Sequence, residues 1–207
     1  MVLDRTDDFV QALELLVSQA VFVGVPSTAP AREPIPGEPT PPNNAVIGYT
    51  METGEPDRNI PARPFLVPAI KESQDAIVER LKAVSKAAFD AKPGLVNSLR
   101  AQLGLFSQRA VREKINTGPF QPLADATIAA RANRSTQGAA GSRKGARKEM
   151  ARRAQGLAAS SDYARPLIDT GQLRNSINYV IGPTRNKKNK GFRQSGGYVI
   201  FYNDSRK

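Results

Sequence analysis

Neither cysteine nor histidine occurs anywhere in the 207-residue chain. Disulfides, zinc fingers, thiol nucleophiles and histidine-based triads are therefore excluded together. No run of 18 or more apolar residues occurs, so no membrane span is predicted. The opening MVLDRTDDF is acidic and lacks the basic-then-apolar pattern of a signal peptide. The expectation is a protein made and used in a cytoplasm, or in something assembled there. Aromatic residues make up only 6% and hydrophobic residues 40%, which predicts a modest core for this length. A carboxylate-bound metal or a serine–lysine mechanism stays formally open, but no constellation of side chains supports either. The sequence predicts no enzyme, no cofactor and no metal.

What is present is charge, unevenly spread. Residues 1–66 carry four basic and nine acidic side chains, whereas residues 67–207 carry 26 and ten, within a net charge of +11. Such a dipolar chain can meet nucleic acid with its basic part, stack head-to-tail on copies of itself, or meet an acidic partner. Composition does not choose among these.

Along the chain, Asp7 and Asp8 suit a helix N-terminus, and Phe9, Ala12, Leu13, Leu16 and Val17 recur on one helical face. AVFVGVP (20–26) then reads as a strand. Residues 26–42 hold seven prolines and are expected to form an extended arm. Asn43 and Asn44 can cap a short helix that Gly54 ends. Pro68 suits the first turn of a long helix with a stripe of Ile70, Ile77, Leu81, Val84 and Ala88. After Lys92-Pro93-Gly94 a second long helix carries Leu95, Leu99, Leu103, Phe106 and Ala110, and Gly118-Pro119 ends it. PLADATIAAR (122–131) reads as one more short helix. Residues 132–165 are rich in Gly, Ala, Ser, Arg and Lys and read as a basic loop insertion unable to fold alone. SINYVIG and GGYVIFYND alternate as strands around a basic hairpin loop, 183–196. These two strands are expected to pair with each other and with the first. The prediction is one α+β domain: a small, mostly antiparallel sheet covered on one face by two long helices.

Three motifs are weighed against plainer readings. GAAGSRKGARK lacks the order of a phosphate-binding loop and follows no strand. Asp169-Thr170-Gly171 resembles an aspartic-protease triplet, but Gln172 and Leu173 follow it, and a cap before a helical turn is the reading preferred. The basic run Arg131, Arg134, Arg143, Lys144, Arg147, Lys148, Arg152 and Arg153 can contact phosphates or order against an acidic protein. Without interleaved aromatics it is unsuited to base stacking, and the protein-contact reading is slightly preferred.

Three further pieces carry a resemblance in their order: NAVIGYTMETGEPDRNIPARPFLVPAI, INTGPFQPLADATIAAR and PLIDTGQLRNSI. The chain resembles the tailed-bacteriophage virion-morphogenesis, neck and tail-completion proteins, a grouping that includes the minor tail protein Z of phage lambda and the G-type morphogenesis protein of phage Mu. The matching residues are Glu52 and Gly54, Pro61 to Phe65, Pro122 to Arg131, and Leu167 to Ile177. Thr53 stands where the family commonly has an aromatic.

The resemblance implies a virion protein at the head–tail junction, assembled in the host cytoplasm into a homo-oligomeric ring, six-fold in preference to twelve-fold. Its partners would be itself, the adjacent head-completion or connector protein, the tail tube or terminator protein, and passing double-stranded DNA without sequence specificity, with no membrane. Glu52, Pro61, Arg63, Pro64 and Phe65 become candidates for the subunit interface, with Arg63 reaching across a boundary and Phe65 plugging the core. A rigid turn with Arg63 in solvent is the alternative. Arg143, Lys144, Arg147, Lys148, Arg152, Arg153, Lys187, Lys188 and Lys190 are candidates for lining a DNA channel or meeting a partner. A cytoplasmic non-specific nucleic-acid binder and a non-virion assembly chaperone are the rival functions.

Overall fold

The computed structural model describes residues 6–26, 42–133, 140–184, 193–195 and 198–200. Most of the proline-rich arm and the tip of the basic hairpin, including Lys187, Lys188 and Lys190, lie outside the described residues.

Helix α1 (Thr6–Ser18) opens with Asp7 and Asp8 and runs directly into strand β1 (Gln19–Gly24). Helix α2 (Asn44–Thr53) starts where the Asn43 side chain accepts from the Ala45 amide at 2.8 Å, and it ends at Gly54 with φ +76°. That conformation suits glycine, and a Cβ there would also meet the Ala62 amide nitrogen at 2.8 Å.

The long helix expected from Pro68 onward is two helices, α3 (Leu66–Glu72) and α4 (Gln74–Phe89), joined at Ser73. The bend serves packing: α3 follows the later half of helix α5 (Pro93–Thr117) into the main core, while α4 follows its earlier half. Phe9 and Phe89 stack with centroids 5.6 Å apart and tie α1 to α4.

In α5 the buried face shares only Leu103 with the stripe that the sequence suggests. It runs through Val96, Arg100, Leu103, Ser107, Val111 and Ile115, and Leu95 is 45% exposed. The reason is that α5 is covered from two sides, by α4 and by the sheet, and buries polar residues that find backbone acceptors. Arg100 donates to the carbonyls of Leu15 (2.5 Å) and Leu16 (3.3 Å), and Gln108 Nε2 donates to that of Ile177 (2.9 Å).

Strand β2 (Asn178–Pro183) pairs antiparallel with β1, with Val21 opposite Ile181. Strand β4 (Tyr198–Ile200) pairs with β3 (Arg193–Ser195), which lies inside the expected hairpin loop, rather than with β2. The fold is α+β, with a small antiparallel sheet packed on α5.

Residues expected as a basic loop contain helix α7 (Ala140–Ala154), which packs on α6 (Asp125–Asn133). The sequence hides it because α7 has no apolar stripe; its buried apolar contribution is Ala146, set against Leu123, Ile128, Ala132 and Ala164. Gly145 permits the close approach, since a Cβ there would overlap the Tyr163 carbonyl. Helix α8 (Gln172–Ser176) follows Gly171, whose φ is +79°.

Candidate functional site: a charged framework and two open surfaces

The corner NIPARPF doubles back after α2. An isolated bridge between Glu55 and Ile60 closes the turn, and the Arg63 amide donates to the Met51 carbonyl at 2.7 Å. This return brings the last turn of α2 against the first turn of α3. Glu52, buried to 9% exposure, then accepts three backbone amides: Phe65 (2.7 Å), Leu66 (2.8 Å) and Val67 (2.9 Å). A carboxylate is unfavourable at the C-terminal end of its own helix but favourable at the N-terminus of another, where amides lack intrahelical partners. The corner converts the first situation into the second.

Arg63, 6% exposed, donates through Nε to the Gln121 carbonyl at 3.2 Å and through Nη2 to that of Pro122 at 3.5 Å. Burial lowers its pKa from the ordinary arginine value. Phe65 is fully buried in the main core with Val111, Ile115, Leu167, Leu173 and Ile177. Pro61 is half-buried and Pro64 exposed.

Arg131 continues the pattern. It donates to the carbonyls of Arg165 (3.0 Å), Ile168 (3.1 Å) and Pro166 (3.2 Å), with Asp169 at 3.8 Å. Asp169 also accepts from the Ser142 hydroxyl at 2.7 Å, which ties α7 to the segment before α8. Arg63 thus ties residues 44–70 to residues 115–131, Arg131 ties residues 115–131 to residues 166–177, and Glu52 locks the corner within the first piece. Glu52, Arg63 and Phe65, considered for a subunit boundary, use these groups within their own chain, because the corner folds them inward.

The second buried charge cluster lies under α7. Glu149 is fully buried and accepts from Arg152 Nε (2.9 Å), Arg153 Nε (2.8 Å) and the Ser160 amide (2.8 Å). The Arg152 hydrogen bond, with those from Arg153 and Ser160, outweighs burial and brings its pKa down to about 2. The same carboxylate raises the pKa of both arginines. Arg153 also donates to Asp125 (2.6 Å) and the Leu123 carbonyl (3.0 Å), and Arg152 to the Ala158 carbonyl. Arg152 and Arg153, expected in a channel or partner surface, are half-buried and hold the α6–α7 lobe together.

Among the described residues, two open surfaces bear on function. Arg143, Lys144, Arg147 and Lys148, with Ala151, line a shallow basic groove on α7. Lys148 sits 5.4 Å from the ring centroid of Tyr163, an aromatic that the linear pattern does not bring near. The other surface is an apolar groove of about 970 Å³ between α1, β1 and the α3–α4 pair, lined by Val17, Val21, Val23, Ile70, Ile77 and Leu81 among others. The sequence did point to these residues, as helical stripes and a strand, but not to their remaining uncovered: Val17 is 65% exposed and Leu81 46%.

Among the described residues, no group of three or more acidic side chains is arranged to hold a metal, and no helix is long and apolar enough to cross a membrane. Comparison with family models, with curated proteins and with solved structures finds no match.

Proposed function

We propose that the chain is a structural protein of a tailed-phage particle: a neck or tail-completion subunit forming a ring where the DNA-filled head meets the tail. The observation that carries this reading is the framework of Glu52, Arg63 and Arg131. The three stretches that resemble the family are separated in sequence, yet buried Arg63 fixes the first to the second and buried Arg131 the second to the third, while Glu52 locks the corner inside the first. A ring repeats one interface many times, so angular error in each subunit accumulates. A corner locked by one carboxylate and one guanidinium supplies a defined exit direction for α3. The open apolar groove offers contact area to neighbours of the kind that assembly uses.

Cryo-electron microscopy of the head–tail junction of the host particle, with symmetry relaxed, tests the proposal. A ring of this chain between head and tail is the expected result and gives the copy number. Particles that lack the chain would overturn it in favour of an assembly chaperone or a cytoplasmic nucleic-acid binder.

A further inference from the structure

The fold places the described cations of residues 131–153 in two settings. Arg131, Arg152 and Arg153 are committed to carbonyls and carboxylates inside the chain. Arg143, Lys144, Arg147 and Lys148 line the groove on α7, to which no carboxylate contributes. Their spacing, at i, i+1, i+4 and i+5, places them on two adjacent ridges of one helical face. Arg147 is anchored through Nε to the Ala132 carbonyl at 3.1 Å, which holds its position.

We propose that this face of α7 binds the phosphate backbone of double-stranded DNA without reading sequence. The centre of a protein–protein interface is apolar and poor in lysine. The groove itself offers only Ala151 and side-chain methylenes between its charges, with Met150 and Tyr163 the exposed apolar side chains at its edges. A single-strand site needs successive aromatics for bases to stack on, and here one ring, Tyr163, stands beside Lys148. Duplex DNA carries one charge per about 1.7 Å of axis, and residues 143–148 rise about 7.5 Å along α7. A single strand carries one charge per about 3.4 Å of axis, so a helix lying along it faces about two phosphates in that length, which Lys144 and Lys148 are spaced to meet. An acidic protein surface would have to present as many carboxylates in one row.

The setting, a DNA-filled channel, rests on the connector reading. The contact itself is measured on the isolated chain, so failure of one is distinguishable from failure of the other. Fluorescence anisotropy of short labelled duplexes of two unrelated sequences, across a salt series, would compare the full chain with three variants. These are Lys144→Gln/Lys148→Gln, Lys144→Arg/Lys148→Arg, and a charge-matched control on α4, Lys82→Gln/Lys86→Gln, where both side chains are exposed. Each lost phosphate contact reduces the slope of log affinity against log salt by about 0.9. The glutamine pair on α7 should therefore reduce it by about 1.8 on both sequences, while the arginine pair and the α4 control keep it. An unchanged slope in the α7 glutamine variant, an equal loss in the α4 control, or no binding by the wild type would overturn the proposal. So would unchanged DNA binding combined with weakened self-association or weakened binding to an acidic protein, which would assign the face to a protein partner.

Discussion

Three backbone amides at the start of α3 have no helical partner, and a single carboxylate, that of Glu52, takes all three. Removing it leaves buried donors without acceptors, and their desolvation cost is then uncompensated. Glu52→Ala should destabilise the chain by roughly 3–5 kcal/mol, and Glu52→Gln by less, because an amide oxygen still accepts. Urea denaturation reads the difference as a shift of midpoint at constant slope; an alanine variant within about 1 kcal/mol of wild type would show the capping to be energetically idle. Arg63 makes a sharper case for geometry. Its fork reaches the carbonyls of Gln121 and Pro122 together, which a lysine ammonium on a single stem does not reproduce. Arg63→Lys should cost about 1–2 kcal/mol despite conserving charge, and full stability in that variant would reduce Arg63 to a point charge.

Elements show where sequence patterns lead and where they stop. The Asn43 cap, the Gly54 stop and the break before α5 were legible because each depends on local chemistry, although α5 begins at Pro93, two residues before the sequence pattern placed it. The buried face of α5 was not, because Arg100, Ser107 and Gln108 are buried through acceptors contributed by distant segments or by the helix itself. Helix α7 was missed for a related reason: it is held by Glu149 and its two arginines, and periodicity registers apolar residues only. Among the three charges of the framework, the sequence marked Glu52 and Arg63 for a subunit boundary and Arg131 within the basic run, but could not tell an internal tie from an outward contact. Gly104 on α5 gives a test of close helix–sheet packing. Alanine would gain about 1 kcal/mol of helix propensity, yet its Cβ would overlap the Tyr179 ring of β2. Overpacking costs typically 1–3 kcal/mol, so Gly104→Ala should be net destabilising by thermal unfolding. Adding Tyr179→Val should restore part of the loss, and a stabilised single variant would refute the packing argument. Glu149 gives a pH dependence. Folded, it stays ionised down to about 2, below its ordinary value of 4.5. The stabilisation is therefore complete above about pH 5 and is lost as pH falls towards 2. At neutral pH Glu149→Gln should cost about 3 kcal/mol, as when a buried pair loses one partner. That difference from wild type should narrow over the acidic range in unfolding measured against pH. A gap that stays constant down to pH 2 would contradict the assignment.

At the scale of the molecule, stability is divided unequally. The main core gathers Phe65, Val111, Ile115, Leu167, Leu173 and Ile177 around α5, whereas the α6–α7 lobe buries Leu123 and Ile128 with three alanines. Apolar burial contributes roughly 25 cal/mol per Å², so the lobe has much less of it, and its cohesion falls to the Glu149 cluster and to Arg131. Regions with few apolar contacts open at lower free energy than the global unfolding step. Native-state hydrogen exchange should therefore show the amides of α7 opening at a distinctly lower free energy than those of Leu103 to Ile115 in α5. Because Glu149 is the lobe's charge centre, Glu149→Gln should lower protection in α7 while leaving the α5 amides close to their wild-type values. If α7 and α5 instead share one opening free energy in both proteins, the lobe is not a separate cooperative unit and the cluster's effect is global. The division matters for the proposed role. In that proposed role, a basic helix mounted on a small, charge-held lobe would adjust to DNA while the Glu52 and Arg63 corner would keep the rest of the subunit in register for a ring.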